Sequence, residues 1–284
     1  MPSILDRLAE MVPELPNKLA MAARFALDNP DMIAVNSMRA VAAEVGVASP
    51  TMLRLARMLD YESYEDFKAA FQDEVIGAGF SARAGRLRRG GAAGEEGSLL
   101  DRMRLAALAN VEKTFTECDP EVMSRMARTL LEAESVYVVG VASAYSLATL
   151  LQFTGHLALP DLRVPIASGA PILEALGSVE EGDVVLTFGI SPYATRTVET
   201  LALARERGAT TLAITDRRSS PVLEYADLYL LAEAKSPHYF PSFVAVVALV
   251  EALLATVVAE GGEKVLERMN RIEMIREKTG AYVT

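Results

Sequence analysis

The sequence is poor in the residues that build metal centres and covalent cross-links. It contains one cysteine, Cys118, two histidines and no tryptophan. A single cysteine excludes an intrachain disulfide and a cluster of thiolate ligands, and it is typical of proteins in a reducing compartment. No His, Cys, Asp and Glu residues stand at metal-ligand spacing, and no nucleophile elbow or Walker loop is present. We therefore expect neither a metal nor a cofactor.

Long apolar runs are missing as well. The run from Val244 to Val258 is interrupted by Glu251 and falls short of the roughly 20 residues that span a bilayer. No early window has the basic start, apolar stretch and small-residue cleavage site of a signal peptide. We therefore expect a cytoplasmic protein with no membrane partner.

The composition is that of a globular protein. Hydrophobic residues make up 51% and charged residues 23% of the chain, which gives ample material for a buried core. A length of 284 residues suits two domains. Residues 1–90 hold 11 Lys and Arg against 12 Asp and Glu, so nearly all of the net charge of −10 belongs to residues 91–284. The near-neutral first part is compatible with DNA binding if its basic residues share one face.

Hydrophobic periodicity divides the chain into three segments. Residues 1–78 carry apolar residues at helical spacing and are predicted to form an all-helical domain. Residues 79–98 are rich in Gly and Ala, contain four arginines, and are predicted to be a linker. Residues 99–284 alternate short apolar runs with helical stretches, which indicates an α/β domain with a parallel sheet. Its strands are predicted at Val136–Val141, Val184–Phe188, Thr211–Thr215 and Leu228–Leu231, with a weaker one in "LRVPI".

The stretch "RAVAAEVGVASPTMLRLARML" predicts two short helices with a tight corner at Gly46. Apolar residues fall where the two helices must bury side chains against each other: Val41, Val45, Val47, Met52 and Leu55. Ser49 is placed as the cap of the second helix, and Pro50 is tolerated in its first turn. We predict that the following residues contact DNA: Arg39, Ser49, Pro50, Thr51, Arg54 and Arg57. The alternative is an ordinary helical hairpin in which the arginines form a solvated face.

The segment "PDMIAVNSMRAVAAEVGVASPTMLRLARMLDYESYEDFKAAF" resembles the N-terminal domain of the RpiR/MurR family of bacterial transcriptional regulators. Asp60 stands where that family usually has Gly, with Tyr61, Phe67 and Lys68 in register. "VYVVGVASAYSLA" and the stretch from "EGDVVLTF" to "LYLLA" are similar to the family's sugar isomerase (SIS) domain. The resemblance implies a flavodoxin-like parallel α/β/α SIS domain, a double-stranded DNA operator, and a small carbohydrate-derived effector with or without a phosphate.

Two strand-end loops correspond to the places where the family binds phosphate. In "GVASAYS" Gly140 is kept, whereas Ala142 replaces the second Gly of the family pattern. In "ISPYATRT" Pro192 and Ala194 replace two serines, and Thr195 replaces a Gly, so we expect a rebuilt pocket. The alternative is that the hydroxyl residues cap the following helices and that Tyr193 only packs. The predicted ligand residues are Ser143, Ser146, Ser191, Tyr193, Thr195 and Thr197.

An SIS-type isomerase is the competing function. Such an enzyme needs a base that moves a proton between adjacent carbons. Glu174, Glu199 and the two histidines are the candidates near strand ends, and no spacing singles one out, so we predict a regulator and not an enzyme. Paired DNA-binding domains also predict a homodimer or tetramer, with Leu99–Phe115 and Phe243–Ala259 as contact surfaces.

Overall fold

A computed structural model describes residues 4–75, 80–88, 98–165 and 172–280. The chain divides into two compact units, Met1–Gly90 and Gly91–Thr284. The parts of the predicted linker at 79 and 89–97 lie outside the described residues. Residues 80–88 of that segment form a helix, so the described part of the linker is not irregular chain.

The first unit is built from helices, as predicted. Proline and glycine residues set some of the helix ends: Pro30 is the first residue of one helix, and Gly46 caps the carboxyl end of another. The helices are α1 (Ile4–Met11), α2 (Asn17–Asp28), α3 (Pro30–Val35), α4 (Met38–Val45), α5 (Ser49–Met58), α6 (Tyr64–Val75) and α7 (Phe80–Arg88).

An aromatic cluster fills the core of the first unit. Phe67 on α6 is fully buried, and its ring centre lies 4.8 Å from that of Phe71 and 5.9 Å from those of Tyr61 and Tyr64. Aromatic pairs at such distances add to the stabilisation that burial alone provides. Helix α6 packs on α3 and α5, which fixes the helical pair α4–α5 on the rest of the unit.

The second unit alternates helices and strands. Its helices are α8 (Leu99–Glu117), α9 (Pro120–Glu132), α10 (Tyr145–Gly155), α11 (Ile172–Ala175), α12 (Thr195–Glu206), α13 (Val244–Glu260) and α14 (Gly262–Lys278). Its strands are β1 (Val136–Val139), β2 (Leu162–Arg163), β3 (Val184–Gly189), β4 (Thr210–Thr215) and β5 (Leu228–Leu231). The predicted strands are found within two residues of their expected ends, and the weak fifth one shrinks to two residues.

The five strands form one parallel sheet in the order β2-β1-β3-β4-β5. Alternate side chains of β1 pack on opposite faces of the sheet. Val136 and Val138 lie in the core beneath α9, α10 and α13. Tyr137 and Val139 lie in the core on the other face, beneath α12. Helices therefore cover both faces of the sheet, and the strands are nearly continuous in apolar residues. The predicted flavodoxin-like α/β/α architecture is confirmed, because this strand order is the flavodoxin order.

Helix α13 belongs to the core of the second unit. Its buried residues include Leu249, Val250 and Leu253, and it packs against α8 and α9. Within the described residues, no single helix combines the length and the apolar character needed to cross a bilayer; α13 and α14 meet those two criteria only as a pair, which is bent by 111°.

Candidate functional site

The corner between α4 and α5 depends on the backbone of Gly46. This residue has a φ of +75°, the left-handed conformation that glycine adopts without steric cost. Its N–H donates to the carbonyl of Ala43 at 3.2 Å, and the N–H of Val47 donates to that of Ala42 at 2.9 Å. These bonds close the last turn of α4 and turn the chain into α5, which is the geometry of a helix-turn-helix.

The residues predicted between the two helices fall into two groups. Val41, Met52 and Leu55 are fully buried, as expected for positions where crossing helices meet. Val45 and Val47, which flank the corner, are only half-buried. The corner therefore lies at the edge of the core. Helix α5 packs through the face that carries Met52 and Leu55, and its other face is exposed to solvent.

The predicted DNA-contact residues line this solvent face. Pro50, Arg54 and Arg57 of α5 are exposed at positions i, i+4 and i+7, and Arg39 on α4 is exposed as well. Ser49 and Thr51 are half-buried at the start of α5. Within the described part of the chain, no carboxylate lies within ion-pair distance of Arg39, Arg54 or Arg57. The outer face of α4 and α5 thus carries three exposed arginine side chains.

At the amino end of α5 the structure differs from the prediction, and at the other end the chain turns at Asp60. Ser49 does not cap the helix, because it is already the first helical residue and Ala48 occupies the cap position without a side-chain hydrogen bond. At the other end Asp60 has a φ of +67°, where the family pattern has glycine. The N–H of Tyr61 donates to the carbonyl of Ala56 at 3.1 Å, so the chain reverses at Asp60.

In the second unit, the carboxyl ends of β1 and β3 define a crevice. These strands are neighbours, and the chain leaves them toward opposite faces and edges of the sheet. Open parallel sheets bind ligands at such a topological switch point, because two loops separate there and helix amino ends point into the gap. The loops of this crevice are residues 140–144 after β1 and 190–194 after β3.

The loop after β1 is tightly wound. A Cβ at Gly140 would lie 2.2 Å from the carbonyl oxygen of Ala144, so no other residue fits without a shift of the loop. Ala142 has a φ of +52°, the left-handed region at the position of the family's second glycine. Ser143 is exposed at the crevice, whereas the hydroxyl of Ser146 donates to the Ser143 carbonyl at 2.8 Å.

The loop after β3 holds the other predicted ligand residues. Ser191 and Tyr193 are half-buried, Thr195 is exposed, and Thr197 is buried with 2% of its surface accessible. Neither α10 nor α12 receives a side-chain capping hydrogen bond at its amino end, since Ala144 and Ala194 occupy the cap positions. The hydroxyl residues therefore do not act as caps of these two helices.

Asp216 at the carboxyl end of β4 was missed by the sequence reasoning. Only 5% of its side chain is exposed, and its carboxylate accepts hydrogen bonds from the Tyr193 hydroxyl at 2.7 Å and from the Ser191 N–H at 3.3 Å. Arg217 donates to the same carboxylate from Nε at 3.2 Å. The signal was present in the sequence, because Asp216 directly follows a predicted strand and strand ends line the crevice.

The residues proposed for proton transfer do not form an acid–base pair. Glu174 is exposed on α11, and Glu199 is exposed on α12, where it forms an ion pair with Arg196 at 2.7 Å. Nδ1 of His156 donates to the Phe153 carbonyl at 2.5 Å, and His238 accepts from the Phe240 N–H at 3.1 Å. The described residues also contain no group of three or more His, Cys, Asp or Glu side chains that could hold a metal ion.

Two family models match the two units. The helical unit matches the helix-turn-helix domain of the rpiR family over residues 3–76, and residues 129–259 match the SIS domain. The chain belongs to the RpiR family. As an RpiR protein it is a DNA-binding transcriptional regulator and not an enzyme, which confirms the predicted family and function class.

Similar proteins support this assignment. The transcriptional regulator HexR of Pseudomonas aeruginosa is 25% identical over 81% of this chain and 79% of its own length. The sugar isomerase domain of an RpiR transcription factor from Sphaerobacter thermophilus is 25% identical, covers 62% of this chain and 98% of that structure, and has a TM-score of 0.58. NanR of Vibrio vulnificus, solved with ManNAc-6P, is 17% identical, covers 97% and 98% of the two chains, and shares the fold with a TM-score of 0.61.

Proposed function

We propose that this RpiR regulator reads operator DNA with α5 and senses a small carbohydrate derivative in the crevice between the β1 and β3 loops. The observation that carries the DNA part is the row of exposed guanidinium groups on the outer face of α4 and α5. Arginine both clamps phosphates and pairs with guanine edges, so this row suits duplex DNA. The proposed contacts are Arg39, Ser49, Pro50, Thr51, Arg54 and Arg57.

The effector part is supported by the geometry of the crevice. Hydroxyl groups and the amino end of α12 meet at two neighbouring strand ends, which suits a ligand rich in hydroxyl groups. NanR shares this fold and binds a sugar derivative, which favours a ligand of the same broad class, with or without a phosphate. The proposed contacts are Ser143, Ser146, Ser191, Tyr193, Thr195 and Thr197.

We further propose a homodimer, or a tetramer built from two dimers, that uses α8. Leu105, Leu108 and Phe115 expose 56%, 58% and 44% of their surfaces at positions i, i+3 and i+10, which form one apolar stripe. The other predicted surface, α13, uses its large apolar residues in the core of its own unit. The α8 stripe is therefore the better candidate contact between copies.

The predicted domain boundaries remain proposals: residues 1–78 for DNA binding, 79–98 as a linker and 99–284 for effector binding. We place the working protein in the cytoplasm, because its proposed partner is the operator. Limited trypsin digestion tests the boundaries, since the linker holds four arginines. Two protected fragments with ends inside 79–98 are expected, and early cleavage elsewhere contradicts the division.

Binding of operator DNA with and without candidate sugars tests the proposed function. Coupling between two sites is reciprocal, so an effector that changes operator affinity must have its own affinity changed by operator by the same factor. Ser143→Ala is expected to weaken the effector response and to leave effector-free DNA binding intact. Turnover of a phosphosugar that is lost in Glu174→Gln or Glu199→Gln contradicts the proposal.

A further inference from the structure

The donors of the β3 loop converge on one carboxylate of the protein itself. Asp216 accepts from the backbone N–H of Ser191, from the hydroxyl of Tyr193 and from Nε of Arg217. Only 5% of the Asp216 side chain is exposed. Backbone and side-chain donors that surround a single anion in this way form the arrangement by which proteins bind phosphate or carboxylate ligands.

Tyr193 is a permanent donor in this arrangement. Burial raises the pKa of its hydroxyl above the ordinary value of tyrosine, and the neighbouring charge of Asp216 raises it further. The phenol therefore stays protonated at neutral pH and keeps its hydrogen to donate to Asp216. The hydroxyl of Ser220 is a second polar group beside Tyr193. It is buried, and among the described residues it has no hydrogen-bond partner of normal geometry.

Two arginines beside the crevice loops already face carboxylates. Arg217 lies 3.2 Å from Asp216, and Arg196 lies 2.7 Å from Glu199. The segment from Gly140 to Gly155, which includes the β1 loop and α10, contains no charged residue. In the described residues 140–155, a ligand phosphate would therefore meet no cation, and either of these two arginines would have to leave its carboxylate to reach one.

We propose that Asp216 occupies the anion position of the β3 loop from within the protein, so that the effector is an uncharged polyhydroxylated compound and not a phosphorylated one. This inference rests on the proposed effector-sensing function. The negative charge that a phosphate would bring to the Ser191 N–H and the Tyr193 hydroxyl is supplied by Asp216. A phosphate would have to displace that carboxylate and leave its buried charge without donors, or bind beside it against charge repulsion.

Inorganic phosphate is the probe for the anion position. Its binding to the full-length protein is measured by calorimetry and by broadening of the ³¹P resonance. Asp216→Ser removes the charge and opens the space that the carboxylate fills, and it is expected to bind phosphate at least about tenfold more tightly than the unaltered protein. Asp216→Asn removes the charge alone, so it is expected to tighten phosphate binding less, and it replaces the serine variant if that one does not fold. Equal affinity in a folded variant and the unaltered protein overturns the inference, as does tight phosphate binding by the unaltered protein.

Two control variants separate the site from general electrostatics. Tyr193→Phe removes one donor but keeps the carboxylate, so phosphate is expected to stay excluded. Asp161→Asn also removes one negative charge from a carboxylate held by a serine and an arginine, but it precedes β2, at the opposite end of the strands. If Asp161→Asn tightens phosphate binding as much as Asp216→Asn, the effect is one of net charge and the inference is wrong.

Matched pairs of sugars or polyols and their phosphates, tested for release of operator DNA, separate this inference from the proposed function. A response to the neutral member alone supports both. A response to the phosphorylated member alone overturns the inference and keeps effector sensing. If no pair has an effect, effector sensing by this crevice is contradicted, and the phosphate titration still decides the role of Asp216.

Discussion

The guanidinium of Arg7 on α1 lies 2.9 Å from the carboxylate of Asp60, which follows the end of α5 by two residues. The same guanidinium donates to the Leu59 carbonyl at 2.7 Å. Arg7 thus ties the first helix of the unit to the end of α5. The Asp60 side chain is 90% exposed, so the ion pair itself contributes little, whereas the left-handed backbone of Asp60 is the demanding feature of this position.

The effect of Asp60 substitutions on the free energy of unfolding should therefore depend on how well the new residue adopts a positive φ, and not on its charge. Asp60→Val is expected to lower the free energy of unfolding by about 1 to 2 kcal/mol, because a β-branched residue strongly disfavours a positive φ. Asp60→Asn removes the charge but tolerates the left-handed conformation, so it is expected to change stability by less than about 0.5 kcal/mol. Urea denaturation measures both, and equal losses in the two variants would show that the ion pair dominates.

The arginines of α5 should determine operator affinity. Arg54→Ala or Arg57→Ala is expected to cost about 1 to 3 kcal/mol of specific binding, because each removes a contact to a base or phosphate. Arg125→Ala on α9 removes an equally charged, exposed arginine of the second unit and is the matched control. Fluorescence anisotropy with labelled operator at several salt concentrations checks this. If the two α5 variants bind as tightly as the control, α5 is not the reading helix.

Gly140 should be essential to the effector crevice. Gly140→Ala places a Cβ 2.2 Å from the Ala144 carbonyl oxygen, so the β1 loop must move and the effector response should be lost while operator binding persists. Gly177→Ala is the control, since a Cβ at Gly177 meets nothing within 4 Å and no positive φ is involved. Both variants are compared by operator release on addition of effector. A normal response in Gly140→Ala would place the effector elsewhere.

Removal of the Tyr64 hydroxyl should stabilise the first unit. Among the residues that the structure describes, this buried oxygen has no hydrogen-bond partner, and Tyr64→Phe is expected to raise the free energy of unfolding by about 1 kcal/mol. Burial raises the pKa of Tyr64 to about 12 from 10.0, so the folded state holds its proton more tightly than the unfolded state. Stability that is complete below pH 10 should fall between pH 10 and 12, and Tyr64→Phe should remove that part of the pH dependence.

The apolar stripe of α8 should hold copies of the chain together. Leu105→Asp or Leu108→Asp is expected to shift the protein toward monomers, because a charge in an apolar contact costs desolvation without a partner. Met21→Asp on α2, where 51% of the side chain is exposed, controls for the added charge. Light scattering at micromolar concentration distinguishes the species. An unchanged mass in both leucine variants would exclude α8 as the contact.

Local sequence patterns are sufficient to predict the helical unit, the parallel sheet and the corner at Gly46. These features arise from local chemistry: apolar spacing sets whether a segment forms a helix or a strand, and a positive φ calls for glycine. The predicted bounds of β3, β4 and β5 therefore agree with the structure to within one residue, and the sequence places the corner at Gly46 correctly. The substitution of Asp60 for glycine was also visible, and its left-handed backbone follows from that position.

The tertiary structure alone decided which side chains meet at the crevice. Tyr193 and Asp216 are separated along the chain by α12 and β4, and their hydrogen bond exists only because parallel strands bring both loops to one edge of the sheet. Hydrophobic periodicity assigns a residue to a helix or a strand, but it does not predict which hydrogen-bond donors of one loop will bind a carboxylate from a distant part of the chain. Contacts between elements distant in sequence depend on the packing of the whole sheet, which local patterns do not encode.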